Sequence, residues 1–104
     1  MERRMLREPT GPGEILQEEF LTPLGLSQAS FARHIGWTQP KVNEIVTGKR
    51  GITPETAMAF ADAFGTTAMF WMNLQTRYDL EVAEDEIAAR VARDVRPLEA
   101  VAAR

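Results

Sequence analysis

Residues 27–50, SQASFARHIGWTQPKVNEIVTGKR, constrain the fold more than any other part of the chain, because they encode two short helices around a tight turn. Ser27 and Thr38 stand where the two helices begin, and both residue types favour the N-cap position. Gly36 supplies the positive-φ residue that ends the first helix sharply, and Gly48 ends the second. Two helices joined in this way form a helix-turn-helix, which offers its second helix to the major groove of DNA.

The residues of this segment separate into an apolar inward face and a polar outward face. The inward face comprises Phe31, Ala32, Ile35, Val42, Ile45 and Val46, and the outward face of the second helix comprises Gln39, Lys41, Asn43, Glu44 and Thr47. Gln and Asn can pair bidentately with adenine, and Lys can reach guanine or phosphate. The outward face therefore predicts contact with DNA, and the alternative is an ordinary helical hairpin with a polar surface. Trp37, in the turn, is predicted to pack at the helix crossing rather than to stack on a base.

The distribution of charge agrees with DNA contact, although the chain is acidic overall. The 104 residues carry a formal net charge of −3. Residues 27–50 carry +3, whereas residues 1–26, 51–78 and 79–104 carry −2, −1 and −3. Because the local field decides contact with phosphate, residues 27–50 remain a candidate DNA interface.

Length and residue usage exclude several classes of protein. The 104 residues fit one domain, and no apolar run approaches the roughly 20 residues of a membrane span. No signal peptide is visible, and no cysteine is present to form a disulfide or a thiolate zinc site. We therefore expect a cytoplasmic protein that has no association with membranes.

Helix signals on both sides of the helix-turn-helix predict an all-α fold without strands. Pro12 begins a helix that runs to about Leu21, Thr53 and Pro54 begin one that Gly65 ends, and Thr67 caps another. The inward residues of these helices are predicted to be Ile15, Leu16, Phe20, Ala57, Phe60, Ala61, Phe64, Phe70, Trp71, Leu74 and Tyr78. The predicted organisation is a segment of residues 1–9, a five-helix domain of residues 10–78 with the helix-turn-helix at 27–47, and a C-terminal part of residues 79–104.

The C-terminal part is predicted to form an amphipathic helix and a tail. Leu80, Ala83, Ile87 and Val91 recur at helical spacing, and Pro97 should end the helix near Val95 or Arg96. An exposed apolar stripe needs a partner, which is either the core, a second subunit or another protein. The acidic residues Glu81, Glu84, Asp85 and Glu86 predict either a solvated face or a contact with a cation or a basic protein.

Nothing in the sequence indicates catalysis, a metal site or a cofactor. His34 has no second His or Cys beside it, so we interpret it as a partly exposed helix residue. Glu18 and Glu19 point to different helix faces, and Gly11-Pro12-Gly13 lacks the Lys-Ser/Thr ending of a phosphate loop. We therefore expect a protein that is not an enzyme.

Three segments give the chain a resemblance to a known family: PGEILQEEFLTPLGLSQASFAR, GKRGITPETAMAFADAFGT and FWMNLQTRYDL. Over residues 10–83 the chain resembles the HigA-type antitoxins of the Xre and lambda-repressor-like helix-turn-helix superfamily. The resemblance implies a five-helix DNA-binding domain, a homodimer that binds a palindromic operator in its own promoter, and capture of a HigB/RelE-like toxin that cleaves mRNA. The alternative is an Xre-type repressor without a toxin partner, and a third class is a protein-interaction module that has lost DNA binding.

The resemblance also implies roles for individual residues. Gln28 matches the superfamily glutamine that hydrogen-bonds DNA phosphate and the recognition helix, and Gln39 matches the first residue of that helix, where bases are read. Thr38 should contact phosphate while it caps the helix, and Lys41 and Asn43 should face the groove. The residues expected to meet the DNA backbone after the helix are Lys49 and Arg50. Pro40 departs from the pattern, since a proline biases the residue before it away from helical angles and so puts the direction of Gln39 in doubt.

Overall fold

The computed structural model describes residues 10–102 and consists of seven helices in that range, with no strand. Helix α1 spans Pro12–Ile15 and continues as a π-helical segment over Leu16–Leu21. The other helices are α2 (Gln28–Ile35), α3 (Gln39–Val46), α4 (Pro54–Phe64), α5 (Ala68–Glu86), α6 (Ala88–Asp94) and α7 (Glu99–Ala102). The all-α prediction is confirmed, and the predicted segment 1–9 lies outside the described residues.

Side-chain caps begin four of these helices, as the sequence predicts. Ser27 accepts a hydrogen bond from the backbone N–H of Ser30, and Thr38 accepts one from Lys41. Thr53 and Thr67 cap α4 and α5 in the same way. Each of these bonds satisfies a backbone donor that the first helical turn leaves without a partner, so the start of each helix is fixed locally.

Glycines in left-handed conformation end α2 and α4, again as predicted. The φ angles of Gly36 and Gly65 are 77° and 75°. The N–H of Trp37 reaches back to the carbonyl of Ala32 at 2.8 Å, so the chain reverses within two residues of the end of α2. This tight reversal gives the short turn between α2 and α3.

Helix α1 has the predicted extent, but its second half is wound as a π-helix. The N–H of Thr22 donates to the carbonyl of Gln17, five residues earlier, at 2.9 Å. Leu16 and Leu21 are also five residues apart, and both are fully buried. The wider turn therefore aligns residues i and i+5, which a regular α-helix does not do.

Aromatic rings from four helices form the centre of the core. Trp71 is fully buried, with ring centroids 5.0 Å from Phe20 and 5.1 Å from Phe60, and its indole N–H donates to Thr66 Oγ1 at 2.8 Å. Phe31 stacks on Phe64 at 5.0 Å. The rings fix α1, α2, α4 and α5 together, and α3 covers this core with Val42 and Ile45, which are 0% and 1% exposed. Phe70, predicted to face inward, lies at the edge of the ring cluster and is 37% exposed.

The C-terminal part is built differently from the prediction. Helix α5 runs without interruption past residue 78 to Glu86, because residues 66–96 contain no glycine or proline that would stop it. The helix predicted for the C-terminal part is then broken at Ile87, where φ is −131° and ψ is −4°, and resumes as α6. Its end agrees with the prediction, since Val95 returns to extended angles before Pro97. Leu80, Ile87, Val91, Val95, Leu98 and Val101 form an exposed apolar series along α5, α6 and α7, which we call the C-terminal apolar stripe.

Candidate nucleic-acid interface

Helices α2 and α3 form the predicted helix-turn-helix, with α3 in the position of a recognition helix. Helix α3 begins at Gln39, so the bias that Pro40 exerts against helical angles at Gln39 does not keep this residue out of the helix. Proline is tolerated at this position because the backbone N–H groups of the first helical residues have no acceptor within the helix, so the missing N–H of Pro40 costs no hydrogen bond. Gln39 is exposed, while Lys41 and Asn43 are half-buried.

The carboxamide of Gln28 joins α2 to two positions of α3. Gln39 Nε2 donates to Gln28 Oε1 at 2.8 Å, and Asn43 Nδ2 donates to the same oxygen at 3.1 Å. The resemblance implied the pair of Gln28 with the recognition helix, and the geometry agrees. The bond with Asn43 was not foreseen. Because one Asn43 N–H is committed to Gln28, Asn43 contributes to the orientation of this network as well as to the surface of α3.

Gln17 of α1 extends the network, and its role was not predicted from the sequence. Gln28 Nε2 donates to Gln17 Oε1 at 3.3 Å, and Gln17 Nε2 donates to Thr22 Oγ1 at 3.0 Å. The π-helical segment makes the second bond possible, since it brings residues five apart into line. A sequence signal did exist, because Gln17 precedes Gln28 by the same eleven residues that separate Gln28 from Gln39. We call Thr22, Gln17, Gln28, Gln39 and Asn43 the amide relay.

Trp37 positions the cation of Lys41 beside the start of α3. The Lys41 ammonium lies 3.9 Å from the centroid of the Trp37 ring, within the range of a cation–π contact. The same indole packs against Phe60, with ring centroids 5.7 Å apart. Trp37 therefore packs against Phe60 of α4, in line with its predicted packing role, and in addition restrains a lysine that was expected to face the groove.

At the other end of α3, Glu44 organises the residues that follow the helix. Its backbone carbonyl accepts from the N–H groups of Lys49 and Arg50 at 2.8 and 3.0 Å. Its carboxylate accepts from Arg50 Nε at 2.9 Å and from Nη2 at 2.7 Å. The two side chains are 43% and 48% exposed, so this ion pair is weak enough to open toward a phosphate. Lys49 is exposed, and its charge is not part of this pair.

Helices α1 and α5 contact the C-terminal end of α3 and the segment that follows it. Gly13 is buried against the C-terminal end of α3, where an added Cβ would overlap the Ile45 carbonyl oxygen and lie 2.7 Å from that of Val46. Gln75 of α5 accepts from the N–H of Ile52 at 2.6 Å and donates to Asp79 at 2.9 Å. These contacts fix both the end of α3 and the segment that carries Lys49 and Arg50.

The other candidate sites have little support in the part of the chain that the structure describes. Residues 10–102 contain no group of three His, Cys, Asp or Glu side chains that could hold a metal ion. His34 is exposed near the end of α2, in agreement with its interpretation. No helix in this range is long and apolar enough to cross a membrane.

Comparison with known proteins supports the resemblance. The helix-turn-helix family model HTH_3 matches residues 17–71. Virulence-associated protein I of Dichelobacter nodosus is 47% identical over 75 residues, which cover 72% of this chain and 69% of that protein. Antitoxin HigA-1 of Vibrio cholerae is 35% identical over 78 residues, which cover 75% of this chain and 73% of that protein.

A solved structure extends the similarity to the fold. The structure described as Pseudomonas aeruginosa antitoxin HigA with higBA promoter superposes with a TM-score of 0.83 at 40% identity, and the match covers 88% of this chain and 99% of that one. The five-helix, lambda-repressor-like domain is thereby confirmed, and the relatives are regulators and antitoxins rather than enzymes. The chain belongs to the HTH_3 helix-turn-helix family and, within it, to the HigA-type antitoxins.

Proposed function

We propose that this protein is the DNA-binding antitoxin of a type II toxin–antitoxin module. It binds a palindromic operator in its own promoter as a homodimer, represses transcription, and neutralises a HigB/RelE-like toxin that cleaves mRNA. The single observation that carries the DNA-binding part is the amide relay, which fixes the carboxamide of Gln39 at the exposed start of α3.

Base recognition is assigned to the outward face of α3. Gln39 uses one N–H for Gln28, and its second N–H and its carbonyl oxygen are free to pair with the N7 and N6 groups of adenine. Lys41 and Asn43 line the same face. A fixed carboxamide loses little rotamer entropy on binding, which favours discrimination over a freely rotating side chain.

Backbone contact is assigned to residues at the two ends of the helix-turn-helix. At the start, Gln28 keeps one N–H for a phosphate, and Thr38 lies at the N-terminus of α3, where the helix dipole favours an anion. At the end, Lys49 and Arg50 supply the positive charge. These contacts set affinity and register, whereas α3 selects the sequence.

A two-fold dimer gives the operator its symmetry. Two recognition helices should read half-sites about 34–36 Å apart, or a multiple of that distance. We assign the dimer contact to the C-terminal apolar stripe, since its six large apolar side chains, on α5, α6 and α7 and in the segments between them, are between 37% and 74% exposed. Such a series exceeds the scattered apolar residues that are normal on a monomer.

The operator claim is tested with the DNA immediately upstream of the gene. Fluorescence anisotropy should give an affinity for this DNA at least about 1,000-fold above that for a scrambled duplex of equal length at physiological salt. Equal affinity for the two duplexes would contradict operator recognition.

The toxin claim needs a separate experiment. The gene adjacent to this one should encode a small basic protein that arrests growth when expressed alone, and co-expression of this chain should restore growth and yield a complex. If no neighbouring product binds the chain, the antitoxin role fails and a stand-alone repressor remains.

A further inference from the structure

The segment that follows α3 is held at two points. At its start, the backbone carbonyl of Glu44 accepts from the N–H groups of Lys49 and Arg50 at 2.8 and 3.0 Å. At its end, the N–H of Ile52 donates to Gln75 Oε1 at 2.6 Å. This second point is a side chain of α5, which lies outside the helix-turn-helix. The path of the chain that carries the two cations therefore depends on α5.

The orientation of the Gln75 carboxamide is fixed by its two partners. A backbone N–H can only donate a hydrogen bond and a carboxylate can only accept one, so the Gln75 oxygen must face Ile52 and its nitrogen must face Asp79. Turning the amide over would oppose two donors at Ile52 and two acceptors at Asp79. The side chain is half-buried and packs against Gly51, where an added Cβ would lie 3.1 Å from Gln75 Oε1. Gln75 therefore holds Gly51 by contact and Ile52 by a hydrogen bond.

We propose that Gln75 is a positioning residue for contact with the DNA backbone, which holds the segment after α3 so that Lys49 and Arg50 approach phosphate together. The inference rests on the proposed binding of DNA by the helix-turn-helix. Gln75 acts through the two cations, and Asp79 acts through Gln75. Helix α5 then contributes to DNA binding as well as to the core.

Such a restraint matters because glycines stand on both sides of the two cations. Gly48 has a φ of 83°, and Gly51 leaves room for the Gln75 amide. Glycine restricts the backbone less than any other residue, so without an anchor this segment would sample many conformations. Ordering the segment on DNA would cost conformational entropy, and an anchor that is already formed in the free protein removes part of that cost.

Four variants separate the hydrogen bonds of Gln75 from the charge of the protein. Gln75→Met keeps the length and the neutrality of the side chain but replaces the strong acceptor for Ile52 with a weak one. Asp79→Asn and Asp79→Leu both remove one negative charge, and only asparagine keeps an oxygen that can accept from Gln75. Thr76→Val, at an exposed position of α5 next to Gln75, is the matched control.

The primary measurement is the slope of log affinity against log salt concentration, at a temperature where every variant is folded. Gln75→Met should reduce the steepness of this slope by about one, which corresponds to the loss of one phosphate contact. It should weaken binding to the operator and to a scrambled duplex by the same factor, because α3 still reads the bases. Asp79→Leu should give a shallower slope than Asp79→Asn, and Thr76→Val should give the slope of wild type.

A second comparison distinguishes positioning from general stabilisation. Loss of the bond to Ile52 should lower the melting temperature in either case, because a buried N–H is left without a partner. If Gln75 acts through the two cations, Gln75→Met should leave the slope unchanged in a background where Lys49 and Arg50 are both alanine.

The outcomes that overturn the inference are distinct from those that overturn the proposed function. A folded Gln75→Met variant with the slope of wild type overturns the inference, and so does an equal change of slope in the background without the two cations. If Gln75→Met does not fold, equal slopes for Asp79→Asn and Asp79→Leu overturn it instead. A wild type that binds neither duplex overturns the proposed function itself.

Discussion

Replacement of Gly13 by alanine should destabilise the protein, although alanine is the better helix former. Gly13 lies in the first turn of α1, where the exchange normally gains up to about 1 kcal/mol. Here the new Cβ would lie 2.7 Å from the Val46 carbonyl oxygen and would overlap that of Ile45. The sign of the effect therefore depends on how closely α1 approaches the backbone of α3.

The magnitude follows from the size of that overlap. Ordinary van der Waals contact begins near 3.4 Å, so the two helices must separate by about 0.7 Å for Val46 alone, and by more for Ile45. Both neighbours are backbone atoms, which cannot rotate away. Overpacking of this kind costs about 3 kcal/mol, and the gain in helix propensity reduces the net loss to about 2 kcal/mol. For a chain of this size, the melting temperature should fall by about 8–16 °C.

The assay is thermal and urea denaturation, followed by measurement of operator affinity under conditions where both proteins are folded. Gly11→Ala is the matched control, because its Cβ would stand 3.4 Å from the Tyr78 ring, in ordinary contact. Gly11 is the N-cap of α1, where alanine is less favourable than glycine, so we expect this control to lose up to about 1 kcal/mol, less than Gly13→Ala. A Gly13→Ala variant as stable as Gly11→Ala, with unchanged operator affinity, would refute the close approach of α1 to α3.

Three further predictions concern the interface and the dimer. Gln39→Ala should cost about 1–3 kcal/mol on the operator and relax preference at one or two base pairs, and an equal loss on scrambled DNA would contradict base reading. Lys49→Ala should reduce the steepness of the plot of log affinity against log salt concentration by about one. Arg50→Ala should reduce it less, because Glu44 already neutralises Arg50. Equal slopes for the two variants would contradict this difference. Replacing both Val91 and Val95 by Asp should leave the melting temperature of the core within a few degrees and yield monomers in analytical ultracentrifugation, and a persistent dimer would exclude the C-terminal apolar stripe as its interface.

The helix-turn-helix could be predicted from the sequence because each of its boundaries is encoded locally. Ser27 and Thr38 cap through their own hydroxyls, and Gly36 adopts a conformation that other residues rarely reach. Each signal depends on atoms within a few residues, so the spacing of residue types suffices. The same locality explains why the ends of α4 and α2 agree with expectation.

Other features of the fold and the site could not be predicted from such local signals. The bond of Gln17 to Thr22 depends on the π-helical winding of α1, for which the sequence has no local signal. The ion pair of Glu44 with Arg50 requires the path of the chain after Gly48. No capping residue, glycine or proline indicates the break at Ile87 in the sequence. These features arise from packing and chain direction rather than from residue preference.

The π-helical segment of α1 has a consequence for changes in chain length. Its turn holds one residue more than an α-helical turn, so the removal of a single residue from Leu16–Leu21 could restore regular winding without breaking the helix. The residues on either side of the deletion would then keep their faces, because one α-helical turn would replace one π-helical turn. Leu16 and Leu21 would stand four residues apart and still share a face, and Gln17 would still lie alongside Thr22. Removal of exposed Glu18 or Glu19 should therefore preserve both the core and the bond of Gln17 to Thr22, whereas removal of one residue from α3 would rotate the residues on its two sides by about 100° relative to each other.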